Sequence, residues 1–158
     1  MSELTVNQEL LLNVPDSFHV MSETERQNVN VMGEGEWVGL SDPDQHIIMT
    51  VGWKEIPAFS AFLLSSKNLA QNMEKQLGTP MKPYGYDLIG FQSRPIADMP
   101  AEGFQYRYTV GDIGMTGYSC VLKHSRTVYY FHLYARTANE SDSIRQFESI
   151  LDTAHFGK

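Results

Sequence analysis

Apolar and polar residues alternate through the last third of the chain. Three runs follow this period of two and are rich in tyrosine, valine and phenylalanine: Gly103–Val110, Met115–His124 and Thr127–Thr137. Such runs are typical of β-strands. The connections are the four residues "GDIG" (111–114) and the two residues Ser125-Arg126, and connections this short join only antiparallel neighbours. The pattern therefore predicts a three-stranded antiparallel meander.

The two turns also fix which side chains share a face. With a four-residue turn at 111–114, Tyr106 lies beside Ser119, and with a two-residue turn at 125–126, Gly117 lies opposite Tyr134. One face is then apolar: Tyr118, Cys120, Leu122, Tyr129, Phe131 and Leu133. The other, called here the tyrosine face, surrounds the bare backbone of Gly117: Tyr106, Tyr108, Tyr130, His132 and Tyr134. We expect one face to meet the main helix and the other a second, wetter layer.

Weaker strand patterns precede the meander. They cover Glu9–Val14, Trp37–Leu40, Ile47–Trp53 and Tyr86–Gln92. The second and third are joined by "SDPDQ", whose proline and aspartates are typical of a turn. Ser22 followed three residues later by Glu25 resembles a capping box and predicts a single short helical turn.

Two segments follow the helical period. The first has apolar residues three and four apart: Phe59, Phe62, Leu63, Leu69, Ala70, Met73 and Leu77. We expect one helix with Ser60 or Ser66 as its N-cap, Gly78 as its C-cap and Pro80 ending it. The second begins with the acidic Glu140 and Asp142 and has a stripe of Ile144, Phe147, Ile150 or Leu151, and Ala154. This order of elements predicts an α+β fold: an antiparallel sheet sandwiched by helices.

Length and composition limit the possible partners. The 158 residues suit one domain spanning 1–158. A net charge of −7 with scattered Lys and Arg argues against nucleic acid. Cys120 is the only cysteine, so an intrachain disulfide and a thiolate metal site are excluded, and we expect it to be buried. The start of the chain shows no signal-peptide pattern and no later run could span a membrane, which predicts a cytoplasmic protein.

Few motifs carry chemistry. "GEGE" (33–36) lacks the lysine and the strand–loop–helix context of a phosphate loop, and a turn explains it. Asp42, Asp44 and His46 could hold a divalent ion, although a proline-centred turn explains the same residues. His132 is expected to be a hydrogen-bonded structural histidine. Because no nucleophile or acid–base motif is present, we predict no enzyme, no cofactor and no metal.

Four segments in this order resemble one known superfamily: "NVPDSF", "NLAQNMEKQLG", "GFQYRYTVGDIGMTGYSCVLKHSRTVYYFHLYA" and "ESDSIRQFESILDTAHF". Together they are similar to the Mog/PsbP-like α/β/α sandwiches, including the bacterial DcrB-like branch. The resemblance implies a PsbP-like fold and a non-enzymatic protein. Its relatives bind a Ran-type GTPase or photosystem subunits, and some bacterial ones are adaptor chaperones that shield apolar helices of secreted effectors. Many relatives are exported. The superfamily has no portable site motif, so it assigns no residue.

The sequence leaves the role of the tyrosine face open. The chain's own helix and loops could cover it, or it could form a groove for another protein or an apolar peptide segment. A pocket for a small apolar or aromatic molecule is the alternative function, and a hydrolytic site assembled only in three dimensions is a third. Self-association is also possible. We predict a protein-binding or chaperone-like adaptor that uses Tyr106, Tyr108, Tyr130, His132 and Tyr134.

Overall fold

The structure is a computed structural model that describes residues 1–29 and 35–157. Its strands are β1 (Ser2–Val6), β2 (Leu10–Val14), β3 (His19–Val20), β4 (Glu36–Asp42), β5 (Ile47–Glu55), β6 (Asp87–Ser93), β7 (Ala101–Val110), β8 (Ile113–His124), β9 (Thr127–Arg136) and β10 (His155–Phe156). Its α-helices are α1 (Glu23–Gln27), α2 (Ala58–Leu63), α3 (Ser66–Met81) and α4 (Glu140–Asp152). The strand patterns in the sequence are confirmed, but β1, β3 and β10 were not predicted.

Seven strands form one antiparallel sheet in the order β3-β4-β5-β9-β8-β7-β6. The meander β7-β8-β9 lies within it, and β9 pairs with β5. Between β8 and β9 the register is the predicted one, because Ser125-Arg126 is a two-residue turn and Gly117 lies opposite Tyr134. Ser125 has φ +57°, as such tight hairpins require.

The predicted register between β7 and β8 is wrong by two residues. The turn contains two residues, Gly111 and Asp112, because Gly111 adopts the left-handed φ of +61° that a two-residue hairpin needs. Tyr106 is consequently opposite Gly117, and not beside Ser119. A shift of two residues keeps every side chain on its own face. The division into an apolar face and a tyrosine face is therefore confirmed, while the neighbours across the strands change.

The apolar face of the sheet packs against α4 and a second, three-stranded sheet, β1-β2-β10. Phe147 and Tyr118 meet with their ring centroids 5.1 Å apart, and both are buried. The predicted stripe of α4 faces this core. The small sheet is attached to the large one at Tyr129, whose hydroxyl donates to Glu9, and at His124, whose ring stacks on Phe156 at 3.8 Å.

The main helix, α3, packs on the tyrosine face and not on the apolar one. Its Ala70, Met73 and Leu77 are buried against Phe104, Tyr106, Val121 and Val128. With helices on both faces of an antiparallel sheet, the α/β/α sandwich is confirmed. The tyrosine face is therefore no separate wet layer, because part of it belongs to a second apolar core.

The single helix predicted over residues 59–77 is two helices. Leu64 is extended and Ser65, neither Ser60 nor Ser66, caps α3 by accepting from the Asn68 backbone N–H. Because α2 and α3 are separate helices, the apolar stripe of α2 faces solvent, and Phe62 is 87% exposed. Lys123 holds α2 in place by donating from Nζ to the carbonyls of Ala61 and Leu64.

Gly78 and Pro80 do not end α3, contrary to the prediction. Gly78 lies inside the helix, where Tyr86 packs against it and leaves no room for a side chain: an added Cβ would lie 2.8 Å from Tyr86 Cε2. Pro80 occupies the last turn, where only one residue follows before the helix ends at Met81. A short 3₁₀ turn continues to Gly85, whose φ of +73° supplies the left-handed stop.

Candidate functional site

The five residues of the tyrosine face lie in different environments. Tyr106 is fully buried, and its ring stacks on Tyr108 at a centroid distance of 5.8 Å. Tyr108, Tyr130 and Tyr134 are half-buried. Burial raises the pKa of all four phenols above the usual value, so they are neutral at any physiological pH. The face offers apolar area and hydroxyl groups, and no phenolate charge.

His132 is a buried structural histidine, as the sequence predicts. Its Nδ1 is 2.7 Å from the Ser119 hydroxyl, and its ring stacks on Tyr134 at 6.0 Å. Desolvation lowers its pKa from the usual 6.5 to about 4, because a protonated imidazole would lose its hydration in this environment. His132 is therefore neutral at pH 7.

This histidine should make stability fall in mild acid. Between pH 6.5 and about 4 the unfolded chain binds a proton that the folded protein does not, so the contribution is complete above pH 6.5 and is lost as the pH falls. The loss should approach ~1.4 kcal/mol per pH unit below pH ~6. Urea unfolding at pH 7.5, 6 and 5 should show this slope in the wild type and a shallower one in His132→Gln. Equal slopes would contradict the assignment.

A cleft of about 670 Å³ opens on the tyrosine face where α1 and α3 end. Tyr106, Tyr108 and Tyr134 are among its lining residues, while Tyr130 and His132 are not. The further lining residues come from the ends of both helices and from neighbouring strands: Asn28, Val29, Ile48, Leu77, Pro80, Met81, Tyr84, Val110 and Met115. The structure thus brings together three of the five predicted residues.

The cleft continues into a second depression of about 550 Å³. The two share Ile48, Val110, Met115 and Tyr134, and the lining of the second also includes Asp42, His46 and Arg136. The four shared residues are aliphatic or aromatic. The two adjoining depressions together offer mostly apolar lining, which suits an apolar ligand or segment better than an ion.

Several residues of the cleft had no signal in the sequence. Tyr84 lies in a proline- and glycine-marked connection, which indicates a turn and not a binding wall. Val110 flanks the β7–β8 turn, which has two residues and not the predicted four, so the sequence does not reveal its exposed position beside the cleft. Knowing that α3 continues through Pro80 would have placed Met81 and Tyr84 at this end of the sheet.

The other residues considered for chemistry, at the metal-like turn and at Cys120, have structural explanations. Asp42 accepts from the backbone and side-chain nitrogens of Gln45 and so closes the β4–β5 turn. Within residues 1–29 and 35–157, no three His, Cys, Asp or Glu side chains are grouped as a metal site would need. Burial raises the pKa of the Cys120 thiol to about 12, so it is not a reactive thiolate. Gly33 and Glu34 of "GEGE" lie outside the described residues.

No described helix has the length and the run of apolar residues that crossing a bilayer requires.

Comparison with known proteins identifies the fold. No family model matches the sequence, and no curated protein does. The solution structure of cyanobacterial PsbP (CyanoP) from Synechocystis sp. PCC 6803 matches with a TM-score of 0.73 and 15% identity, covering 99% of this chain and 92% of that one. The crystal structure of LpqN, involved in cell envelope biogenesis of Mycobacterium tuberculosis, matches with a TM-score of 0.57 and 14% identity over 94% of this chain and 83% of that one.

A structure from Bacteroides thetaiotaomicron VPI-5482 matches with a TM-score of 0.59 and 10% identity, covering 94% of this chain and 45% of that chain. At these identities the likenesses show the fold alone. Together they show that the chain has a PsbP-like fold, as the resemblance in its sequence implies.

Proposed function

Starting from a PsbP-like fold, we propose that this chain is a non-enzymatic adaptor that binds an apolar segment of another protein in the cleft beside Tyr106, Tyr108 and Tyr134. The role is chaperone-like, because holding such a segment keeps it from water. Of the five predicted binding residues, this proposal keeps only the three that line the cleft. Tyr130 and His132 act as supports in this proposal, and contact with the partner is assigned to the cleft residues.

The observation that carries the proposal is the exposed apolar rim of the cleft. Tyr84 and Val110, which line the cleft, are 53% and 51% exposed, and Ile113, which lines the adjoining depression, is 43% exposed. Large apolar side chains grouped at the mouth of an apolar cleft expose area that a partner would remove from water, and such patches mark interaction sites. Tyrosine suits the role because it offers broad apolar contact at a small loss of side-chain freedom.

A small apolar or aromatic molecule is the second candidate occupant. The cleft volume of about 670 Å³ lies within the range of small-molecule sites. An enclosed cavity lined by Tyr106, Tyr130 and His132 would favour such a molecule, but the cleft is lined by only the first of these. Its exposed apolar rim favours a protein segment.

The cleft is tested by removing its apolar rim. The double variant Tyr84→Ser/Val110→Ser should retain its stability to within ~1 kcal/mol, since both side chains are more than half exposed. Partner recovery from the native host, measured by quantitative mass spectrometry, should fall at least ~10-fold, a loss of roughly 1.4 kcal/mol in binding.

The matched control is Phe59→Ser/Phe62→Ser, which removes two apolar residues from α2 that are more exposed than Tyr84 and Val110 and lie outside the cleft lining. It should recover the same partners as the wild type. Equal recovery by the cleft variant and the wild type would refute the proposal. Native mass spectrometry of the purified wild type covers the second candidate: a retained small molecule that the cleft variant loses would replace the protein partner with a ligand.

The cytoplasmic location belongs to the proposal as well, and it rests on the sequence alone. Fractionation of the native host checks it, and recovery from an extracytoplasmic fraction would contradict it.

A further inference from the structure

The short helix α2 presents large apolar side chains to solvent. Phe59, Phe62 and Leu63 are 76%, 87% and 60% exposed. Apart from Met1, no large apolar side chain of residues 1–29 and 35–157 is as exposed as these three. Their spacing of three and four residues puts them on one side of the helix, while Ala61 is buried on the other. Grouped apolar side chains of this kind mark an interaction site.

Hydrogen bonds from the β8–β9 hairpin hold α2 in place. At the end of the helix, Lys123 Nζ donates to the carbonyls of Ala61 and Leu64. Before its start, the Ile56 N–H donates to the Arg126 carbonyl at 2.8 Å, and Arg126 Nε donates to the Ile56 carbonyl at 3.3 Å. Both ends of α2 are therefore attached to the large sheet, and its apolar side is presented on a fixed support.

Basic residues adjoin the helix at both ends. Besides Lys123 and Arg126, Lys54 lies near the end of β5, before α2, and Lys67 lies in the first turn of α3, after it. Both of these lysines are exposed, and Glu55 is the only acid between them. Four cations and one acid give the residues that adjoin α2 a charge of +3, in a chain whose total is −7.

We infer that α2 docks this protein on an anionic membrane surface. Phe59, Phe62 and Leu63 enter the boundary between headgroups and acyl chains, and the basic residues at both ends of the helix lie against the headgroups. Apolar side chains flanked by lysine and arginine combine the two attractions that binding to an anionic lipid interface uses, which are burial of apolar area and charge.

The charge and the size of the patch select this occupant. A second copy docked through α2 would bring two basic patches together, and like charges across an interface are strongly unfavourable. Three side chains expose only a few hundred Å², whereas a stable protein interface buries roughly 800 Å² on each partner. A lipid surface needs no matching shape, because the lipids close around each side chain that enters. Docking should be reversible and weakened by salt, which screens the attraction.

Vesicle sedimentation tests the docking. Wild type should bind vesicles of phosphatidylglycerol and phosphatidylcholine, mixed at roughly 3:7, at least ~10-fold more tightly than phosphatidylcholine alone, since each basic residue near an anionic surface adds roughly fivefold. Phe59→Ser/Phe62→Ser should weaken this binding at least ~30-fold, through the apolar area lost. Lys54→Gln/Lys67→Gln should weaken it at least ~10-fold on the anionic vesicles only. All four side chains are exposed, and urea unfolding confirms that the variants are folded.

The control is the cleft variant Tyr84→Ser/Val110→Ser, which should bind the anionic vesicles as tightly as the wild type. A wild type that sediments with neither vesicle, or binds both equally, would overturn the inference. Equal binding by the wild type and the phenylalanine variant would do the same. So would a wild-type dimer that only the phenylalanine variant loses, because a second copy would then cover α2. No α2 residue lines the cleft, so these results are independent of the proposed function.

Discussion

Replacing Gly117 with alanine is expected to destabilise the folded protein by ~3 kcal/mol, although alanine normally suits a strand better than glycine. The reason is the ring of Tyr106, which lies directly on the Gly117 backbone. An added Cβ would be 2.1 Å from Tyr106 Cζ and 2.4 Å from its hydroxyl oxygen. Tyr106 cannot move aside easily, because it is fully buried and packed among Tyr86, Phe104 and Tyr108. Urea denaturation measures the change.

The control is the same substitution at Gly90, where an added Cβ meets nothing within 4 Å. Gly90→Ala should be neutral or stabilising by up to ~1 kcal/mol, through the lower entropy of the unfolded chain. In a Tyr106→Leu background, Gly117→Ala should cost less than ~1 kcal/mol, since the clashing ring is gone. If Gly117→Ala alone unfolds at the wild-type urea concentration, the stacking of Tyr106 on this glycine is wrong.

The second large effect is expected from Phe147→Ala, at ~3–5 kcal/mol of unfolding free energy. Phe147 is 1% exposed and joins α4 to the sheet through Tyr118. Alanine there would lose the transfer energy of the ring and leave a cavity that the rigid sheet cannot fill. Thermal unfolding should shift by roughly 10 °C, given ~2–4 °C per kcal/mol for a chain of this size.

Phe62→Ala provides the matched comparison on another helix. Because Phe62 is largely exposed on α2, this substitution should change stability by no more than ~0.5 kcal/mol. If both variants lost several kcal/mol, α2 would be covered. If neither did, α4 would not be anchored through Phe147. The pair therefore tests which of the two apolar helix stripes belongs to the core.

The meander was predictable because its information is local. Alternation assigned the faces, and Ser125-Arg126 set the β8–β9 register without any long-range knowledge. The β7–β8 register failed on one backbone angle, that of Gly111, which the sequence permits but does not require. Strands of two residues, such as β3 and β10, have too few positions to show a period and form because a partner strand is already there.

The candidate site was less predictable because tertiary packing decides it. Tyr106 and Tyr134 have the same pattern in the sequence and both line the cleft, yet α3 buries Tyr106 completely while Tyr134 is only half-buried. Gly78, inside α3, packs against Tyr86, a contact between separate elements that the sequence does not reveal. Residue type therefore indicated an aromatic face, and only the three-dimensional position of α3 shows which part of it is accessible.

The pairing of β9 with β5 has a consequence for how the chain folds. The hairpin of β4 and β5 and the meander of β6 to β9 are local structures, but Ile48 must find Tyr134 to join them, and His155 must find Leu11 to complete the small sheet. Each step closes a long loop at an entropic cost before its contacts form. During synthesis, β5 has to wait with an unpaired edge until β9 leaves the ribosome. Assembly from both chain ends should therefore be late and slow, and this interval is when the nascent chain is most prone to aggregation.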